Sequence, residues 1–163
     1  MTEVLVGLVG SALIGGKAAT IINTVGTELV IGTVTSSTHA IRSMLTYFTT
    51  STQPGISDII TELKNIDLEF TILIIEQVVL EQDSKNLPAS ITKALIGVNE
   101  ILTLIREELN KIKESIDYHN TKYWSNWRSF ASNCNMAQIK KHDDILKYRY
   151  GVLTELLKIY YRK

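Results

Sequence analysis

Few side chains in this sequence could do chemistry, and they are widely spaced. The three histidines are His39, His119 and His142. No Glu-x-x-His pair accompanies them, so the sequence lacks the pattern that holds bridged metal ions in ferritin-like bundles. HExxH, Gly-x-Ser-x-Gly and a phosphate-binding glycine loop are also missing from the sequence. We therefore expect no enzyme and no cofactor, and a small helical metalloenzyme is kept only as an alternative.

The remaining candidate groups have structural interpretations. Three glutamates spaced by seven fall on one helix face: Glu62, Glu69 and Glu76. Without histidines at matching positions, they indicate an exposed acidic stripe rather than a metal site. We expect His142-Asp143-Asp144 to be solvated. Cys134 is the only cysteine, which excludes an internal disulfide and suits a reducing compartment, and no basic neighbour activates its thiol.

Composition narrows the classes of partner. The 163 residues are predicted to form one domain, and Lys+Arg and Asp+Glu number 17 each, so nucleic acid is not an expected partner. Charge is unevenly spread, since residues 56–119 hold 12 acidic and 6 basic residues whereas residues 136–163 hold 3 and 7. The last helix should therefore pair electrostatically with the middle ones. Glu3 stands where a signal peptide would be basic, so we expect a cytoplasmic protein or one packaged within a virion.

The most regular stretch covers residues 91–116. Its apolar residues alternate in steps of four and three, as a helix with one buried seam requires: Ile91, Leu95, Val98, Leu102, Ile105, Leu109, Ile112 and Ile116. A helix of this length needs long partners, so the rest of the chain should supply them.

The fold predicted from these patterns is all-α, an elongated up-and-down bundle of four long helices within residues 1–163. The expected segments are a Gly/Ala/Val-rich first helix over 1–50, a second helix over 56–82, a third over 88–118, an aromatic link over 119–135 and a last helix over 136–161. A fifth helix would arise if the first segment breaks between Thr24 and Thr35. The expected seam of the last helix is Met136, Ile139, Leu146, Tyr150, Leu153, Leu157 and Tyr160.

The second helix is predicted to be continuous and the most buried, because its C-terminal half is apolar nearly all round. Its expected seam is Ile59, Leu63, Ile66, Phe70, Leu73, Gln77 and Leu80. Gln77 interrupts that seam, and we interpret it as a residue that sets helix register.

A stripe of small residues marks the first segment. Gly7, Ser11, Gly15 and Ala19 recur every four residues. In a bundle, such a stripe lets another helix approach closely, which is the interpretation we favour. The alternative is peripheral membrane association through residues 4–22, which are nearly long enough to span a bilayer although they include Lys17.

Aromatic residues concentrate in the predicted link. Tyr123, Trp124, Trp127 and Phe130 lie among asparagines and serines, with Arg128 between them. They favour a plug at one end of the bundle, and a protein or lipid contact surface is the alternative.

The order of these segments resembles the HeLo-type helical bundle of fungal cell-death receptors and the mixed lineage kinase domain-like pseudokinase. The resemblance rests on the apolar opening over residues 1–14, the Leu87-Pro88-Ala89-Ser90 connection, the link over 124–128 and a final helix with Leu153-Thr154-Glu155-Leu156-Leu157. It implies a bundle whose first helix can be released into a membrane, with Glu3 near the inserting end. The first helix departs from that family in lacking a cationic cluster.

Together these patterns favour a non-enzymatic structural protein that associates with itself or with a protein partner. The low proline content and the abundance of Ile, Asn, Lys, Tyr and Thr suit an AT-rich genome. We expect a viral structural component, such as a minor capsid or scaffold protein. The rival hypothesis is the HeLo-like membrane-active bundle.

Overall fold

The computed structural model describes residues 18–52, 56–83, 87–120 and 133–162. Within those ranges, it describes the side chains of residues 26–52, 56–83, 87–118 and 134–162. Nearly all of these described residues are helical, with no strand among them. The helices are α1 Ala18–Thr50, α2 Ile56–Asn65, α3 Leu68–Leu80, α4 Ala89–Asn120 and α5 Asn133–Tyr161. The prediction of an all-α bundle is confirmed.

The helix α4 lies between α1 and α5 and packs most extensively against both. It runs parallel to α1, because hydrogen-bonded side chains ascend together along both helices: Thr27–Thr92, Ser37–Asn99 and Tyr47–Asp117. It runs antiparallel to α5, where Arg149 bonds to Glu100 and Asn135 bonds to Glu108.

The pair α2 and α3 occupies the remaining corner. Arg42 of α1 contacts Glu76 of α3. Contacts from α2 and α3 to α5 ascend in parallel: Glu62–Lys140, Ile66–Lys147 and Gln82–Tyr161. Helices α1 and α4 therefore run in one direction and α2, α3 and α5 in the other, and the corners follow the order α3, α1, α4, α5. The expected electrostatic pairing of the last helix with the middle ones is confirmed.

The core follows the predicted seam of α4. All eight of its seam residues are buried: Ile91, Leu95, Val98, Leu102, Ile105, Leu109, Ile112 and Ile116. In α5, Leu146, Leu153 and Leu157 are buried as predicted, and Tyr150 packs half-buried against them.

The first described helix continues through the region where a break was considered. Its threonine hydroxyls donate hydrogen bonds to backbone carbonyls of the preceding turn. Thr33 donates to Val30 and Thr35 to Ile31, at 2.9 Å each. This local bonding lets a threonine-rich stretch with strand-like composition remain helical.

The expected continuous second helix is instead two helices, and this difference changes which residues are buried. Asp67 adopts a left-handed conformation with φ 56° between α2 and α3. After the break, the buried apolar residues are Leu68, Ile72, Ile75 and Val79, each fully inaccessible. The predicted seam is therefore wrong from Phe70 onwards, whereas Ile66 packs half-buried against the core. The observed inner face combines these aliphatic residues with Glu76, whose carboxylate is paired with Arg42 at 2.7 Å. The predicted face would bury Gln77, at a cost of about 1–3 kcal/mol without a partner.

Candidate interaction surface

The α3 helix carries a second apolar face that points away from the bundle. We call Phe70, Leu73, Gln77 and Leu80 the outer stripe. Their spacing of three, four and three places them on one side of the helix. Phe70 is 57% exposed, Leu73 36% and Leu80 54%. From Phe70 to Leu80 the stripe is about 15 Å long at 1.5 Å per residue.

Contacts on the inner side hold α3 with this face outward. Glu76 is only 7% exposed, and its carboxylate accepts a hydrogen bond from Arg42 at 2.7 Å. At the end of the helix, the Gln82 amide donates to the Val78 carbonyl, and the Tyr161 hydroxyl donates to Gln82 at 3.0 Å. The prediction of an exposed glutamate stripe is therefore wrong at Glu76, whose carboxylate is buried and paired with Arg42.

The flanks of the outer stripe are acidic. Asp67, Glu69 and Glu81 are all exposed, and α3 contains no lysine or arginine. None of the three carboxylates forms an ion pair with another described residue. The stripe is thus an apolar face bordered by negative charge that the described part of this chain leaves uncompensated.

A polar cluster from α5 supports the break that orients the stripe. Lys147 donates one hydrogen bond to the Ile66 carbonyl at 2.8 Å and pairs with Asp143 at 2.7 Å. Asp143 is 1% exposed, so the prediction that it is solvated is wrong. Burial raises the pKa of its carboxyl, with Lys147 acting in the opposite direction. Asp143 Oδ1 and His142 Nδ1 are buried without a hydrogen-bond partner among the described residues.

A second polar cluster joins α1 to α4 near the C-terminal ends of both helices. The Tyr47 hydroxyl donates to Asp117, and Lys113 pairs with the same carboxylate at 2.7 Å. The hydrogen bond to Asp117 raises the pKa of Tyr47 to about 12, and the bonds from Lys113 and Tyr47 lower the pKa of Asp117. This arrangement keeps the phenol protonated and a poor nucleophile, so it serves as a link between helices.

A groove of about 630 Å³ also lies between α1 and α4. Its polar lining includes His39, Ser43, Arg106, Glu107 and Lys111. Lys111 is already bound to Glu108 at 2.6 Å. The groove is lined by the carboxylate of Glu107 beside the cations of Arg106 and Lys111, and Lys111 is already paired, so its charge selects no single class of ligand.

Within the ranges that the structure describes, no group of three His, Cys, Asp or Glu side chains could hold a metal ion. Over the same ranges, no helix combines the length and the apolar character needed to cross a bilayer. The predicted positions Glu3, Gly7, Ser11 and Gly15 lie outside the described residues, and Ala19 is in the first turn of α1 with its side chain outside them. The link residues also lie outside: Tyr123, Trp124, Trp127, Arg128 and Phe130.

Comparison of the chain with protein-family models, curated proteins and solved structures finds no match. The outer stripe is the surface that sequence reasoning misplaced, since all four of its residues were assigned to the buried seam. The available signal was Gln77, a polar residue in a seam that lies beside the aliphatic residues Leu68, Ile72, Ile75 and Val79.

Proposed function

We propose that this protein is a non-enzymatic assembly protein whose copies bind one another through the outer stripe of α3. The observation that carries the proposal is the exposure of Phe70, Leu73 and Leu80 at the spacing of a helix-packing seam. Scattered single apolar residues are ordinary on a protein surface. Three aligned on one short helix favour a surface that another helix covers.

The energy available from the outer stripe alone is smaller than the cost of association. Fully burying one large apolar side chain contributes about 1.5–3 kcal/mol, and these side chains are already partly covered. Three of them would contribute about 2–4 kcal/mol, which is below the cost of about 4–15 kcal/mol for bringing two molecules together. The stripe therefore needs a larger surrounding interface to produce a stable complex.

The proposed role is structural, as a scaffold or minor capsid component of a virus with an AT-rich genome, acting in the cytoplasm or within the virion. The low proline content and the abundance of Ile, Asn, Lys, Tyr and Thr support the viral part of this proposal. A helical bundle with a self-associating side suits a structural assembly better than it suits chemistry.

Solution size tests the proposal. We expect the weight-average mass in sedimentation equilibrium to rise above that of an 18.3 kDa chain as concentration increases. The Phe70→Gln/Leu80→Gln variant should stay monomeric, because the apolar contact is lost while charge and helix propensity are retained. Ile96→Gln/Leu104→Gln on the outer side of α4 is the matched control and should associate like the wild type.

A wild-type chain that is monomeric at all concentrations would overturn the proposal. So would equal association by the α3 variant and the wild type. Circular dichroism melting of both variants confirms that the exposed substitutions leave the bundle folded.

A further inference from the structure

The α3 helix has two apolar faces, and they lie roughly half a turn apart. We call the buried residues Leu68, Ile72, Ile75 and Val79 the inner face. Each residue of a helix advances by about 100°, so the inner face and the outer stripe are about 150° apart around the axis. Each face has the spacing of a helix-packing seam, so either one could line the core.

The outer stripe continues the buried seam of α2. Ile59, Leu63 and Ile66 are followed by Phe70 and Leu73 in steps of four, three, four and three. An uninterrupted helix through position 67 would therefore place the outer stripe in line with Ile59 and Leu63, which are buried. The left-handed residue between α2 and α3 changes this phase and turns the inner face to the core instead.

The residues around the break do not by themselves require it. Residues 56–83 contain neither glycine nor proline, and Asp67 makes no capping hydrogen bond through its side chain. A φ of 56° is sterically unfavourable for a residue with a side chain, although aspartate tolerates it better than most. Contacts from other helices must therefore hold the break.

Lys147 supplies one of these contacts, in place of a helical hydrogen bond. In a continuous helix, the Ile66 carbonyl would accept a hydrogen bond from the amide of Phe70. In the structure, this carbonyl accepts from the Lys147 ammonium at 2.8 Å instead. The second contact is the ion pair of Glu76 with Arg42 at 2.7 Å. Rotating α3 by half a turn would carry Glu76 to the other flank of the helix, so both contacts belong to the broken form.

We infer that the α2–α3 segment is a conformational switch with a second, continuous form, in which the outer stripe faces the core and the inner face is exposed. The broken form is the more stable one, because the continuous form would bury Gln77 and separate Lys147 and Arg42 from these partners. The two faces carry apolar side chains of similar size, and a core tolerates exchanges that conserve volume and pattern. Two packings of one segment coexist when their free energies are close.

The switch would regulate the proposed self-association, and this part of the inference rests on that proposal. Only the broken form presents the outer stripe, so a second copy that binds the stripe selects that form. The continuous form withdraws the stripe into the core. Any change that favours the continuous form should therefore weaken assembly, without touching the surface that copies share.

Reciprocal thiol labelling tests the switch on the dilute, monomeric chain. In a Cys134→Ser background, Leu73→Cys reports on the outer stripe and Val79→Cys on the inner face. Asp67→Ala/Gln77→Leu favours the continuous form, because alanine disfavours a left-handed backbone and leucine completes the seam. Asp67→Gly/Gln77→Leu differs only at the break and is the matched control, since glycine accepts the left-handed conformation.

Relative to this control, the alanine variant should be labelled about tenfold faster at position 79, the ratio expected from the steric cost of a Cβ atom in the left-handed conformation. It should be labelled more slowly at position 73, because the two positions exchange their exposure. Amide hydrogen exchange at Phe70 is an independent measurement, and it should slow in the alanine variant as the helical bond to Ile66 forms.

Two results would overturn the switch. Faster labelling at position 79 without slower labelling at position 73 would mean that α3 unfolds rather than rotates. Equal rates in the two variants at both positions would mean that the break is fixed. Because labelling is measured on monomers, either result leaves the proposed self-association standing. A wild type that never associates would overturn the proposed function while leaving the labelling result unchanged.

Discussion

Lys147 Nζ donates a hydrogen bond to the backbone carbonyl of Ile66 at 2.8 Å, across the space between α5 and the end of α2. The same ammonium group pairs with buried Asp143 at 2.7 Å. This contact fixes the point where the chain turns into α3. The direction in which the outer stripe faces therefore depends on a side chain of the last helix.

Replacing Lys147 by methionine should destabilise the protein by about 2 kcal/mol, because Asp143 and the Ile66 carbonyl both lose their donor. Urea denaturation followed by circular dichroism measures the loss. Lys140→Met, which removes the more exposed pair with Glu62, is the control and should cost about 1 kcal/mol or less. Equal losses in the two variants would contradict the role assigned to Lys147.

Asp143 should make stability depend on pH in an unusual direction. Its folded-state pKa is raised above the ordinary value of 3.8, so its contribution is fully present below that pH and is lost as pH rises through the folded pKa. Asp143→Asn should therefore gain stability relative to the wild type as pH rises above 3.8, the ordinary pKa of an aspartate. The difference between the two proteins isolates this effect from Glu108 and Asp117, whose lowered pKa values act in the opposite direction. A difference that stays constant with pH would refute it.

Asp67→Gly should stabilise the protein by about 0.5–1 kcal/mol, since glycine adopts a φ of 56° without the steric cost of a side chain. The Asp67 side chain makes no capping hydrogen bond that the substitution would remove. Asp67→Ala should destabilise instead. Thermal melting of the two variants compares them directly, and a more stable alanine variant would indicate a continuous helix through this position.

Gly32→Ala and Gly151→Ala should each raise stability by about 0.5–1 kcal/mol, because alanine is the better helix former. An added Cβ meets no atom within 4 Å at either site. The two sites lie on separate helices, so the double variant should show additive gains. Measurements at low protein concentration keep self-association out of the comparison, and a loss at either site would contradict the open surroundings.

The core of α4 was predictable because its strict alternation of four and three leaves a single apolar face to bury. The orientation of α3 was not predictable, because that helix has two apolar faces. Local periodicity shows which residues share a face but not which face points into the core. Which face of α3 is buried depends on contacts from Arg42 and Lys147, which are distant in sequence, and on the left-handed backbone conformation of Asp67.

For the candidate surface, the sequence likewise indicated which residues share a face but not that the face points outward. Phe70, Leu73 and Leu80 were recognised as a packing seam, and the structure places that seam on the outside. The small-residue stripe and the aromatic link stay predictions, since their side chains lie outside the described residues.

Concentration-dependent thiol protection tests most directly the claim that copies meet at the outer stripe. In a Cys134→Ser background, which removes the exposed native thiol, Leu73→Cys is labelled over a range of protein concentrations, with Leu104→Cys on α4 as the control. The account predicts that labelling at position 73 slows as concentration rises while labelling at position 104 does not. Rates at position 73 that are independent of concentration would contradict it.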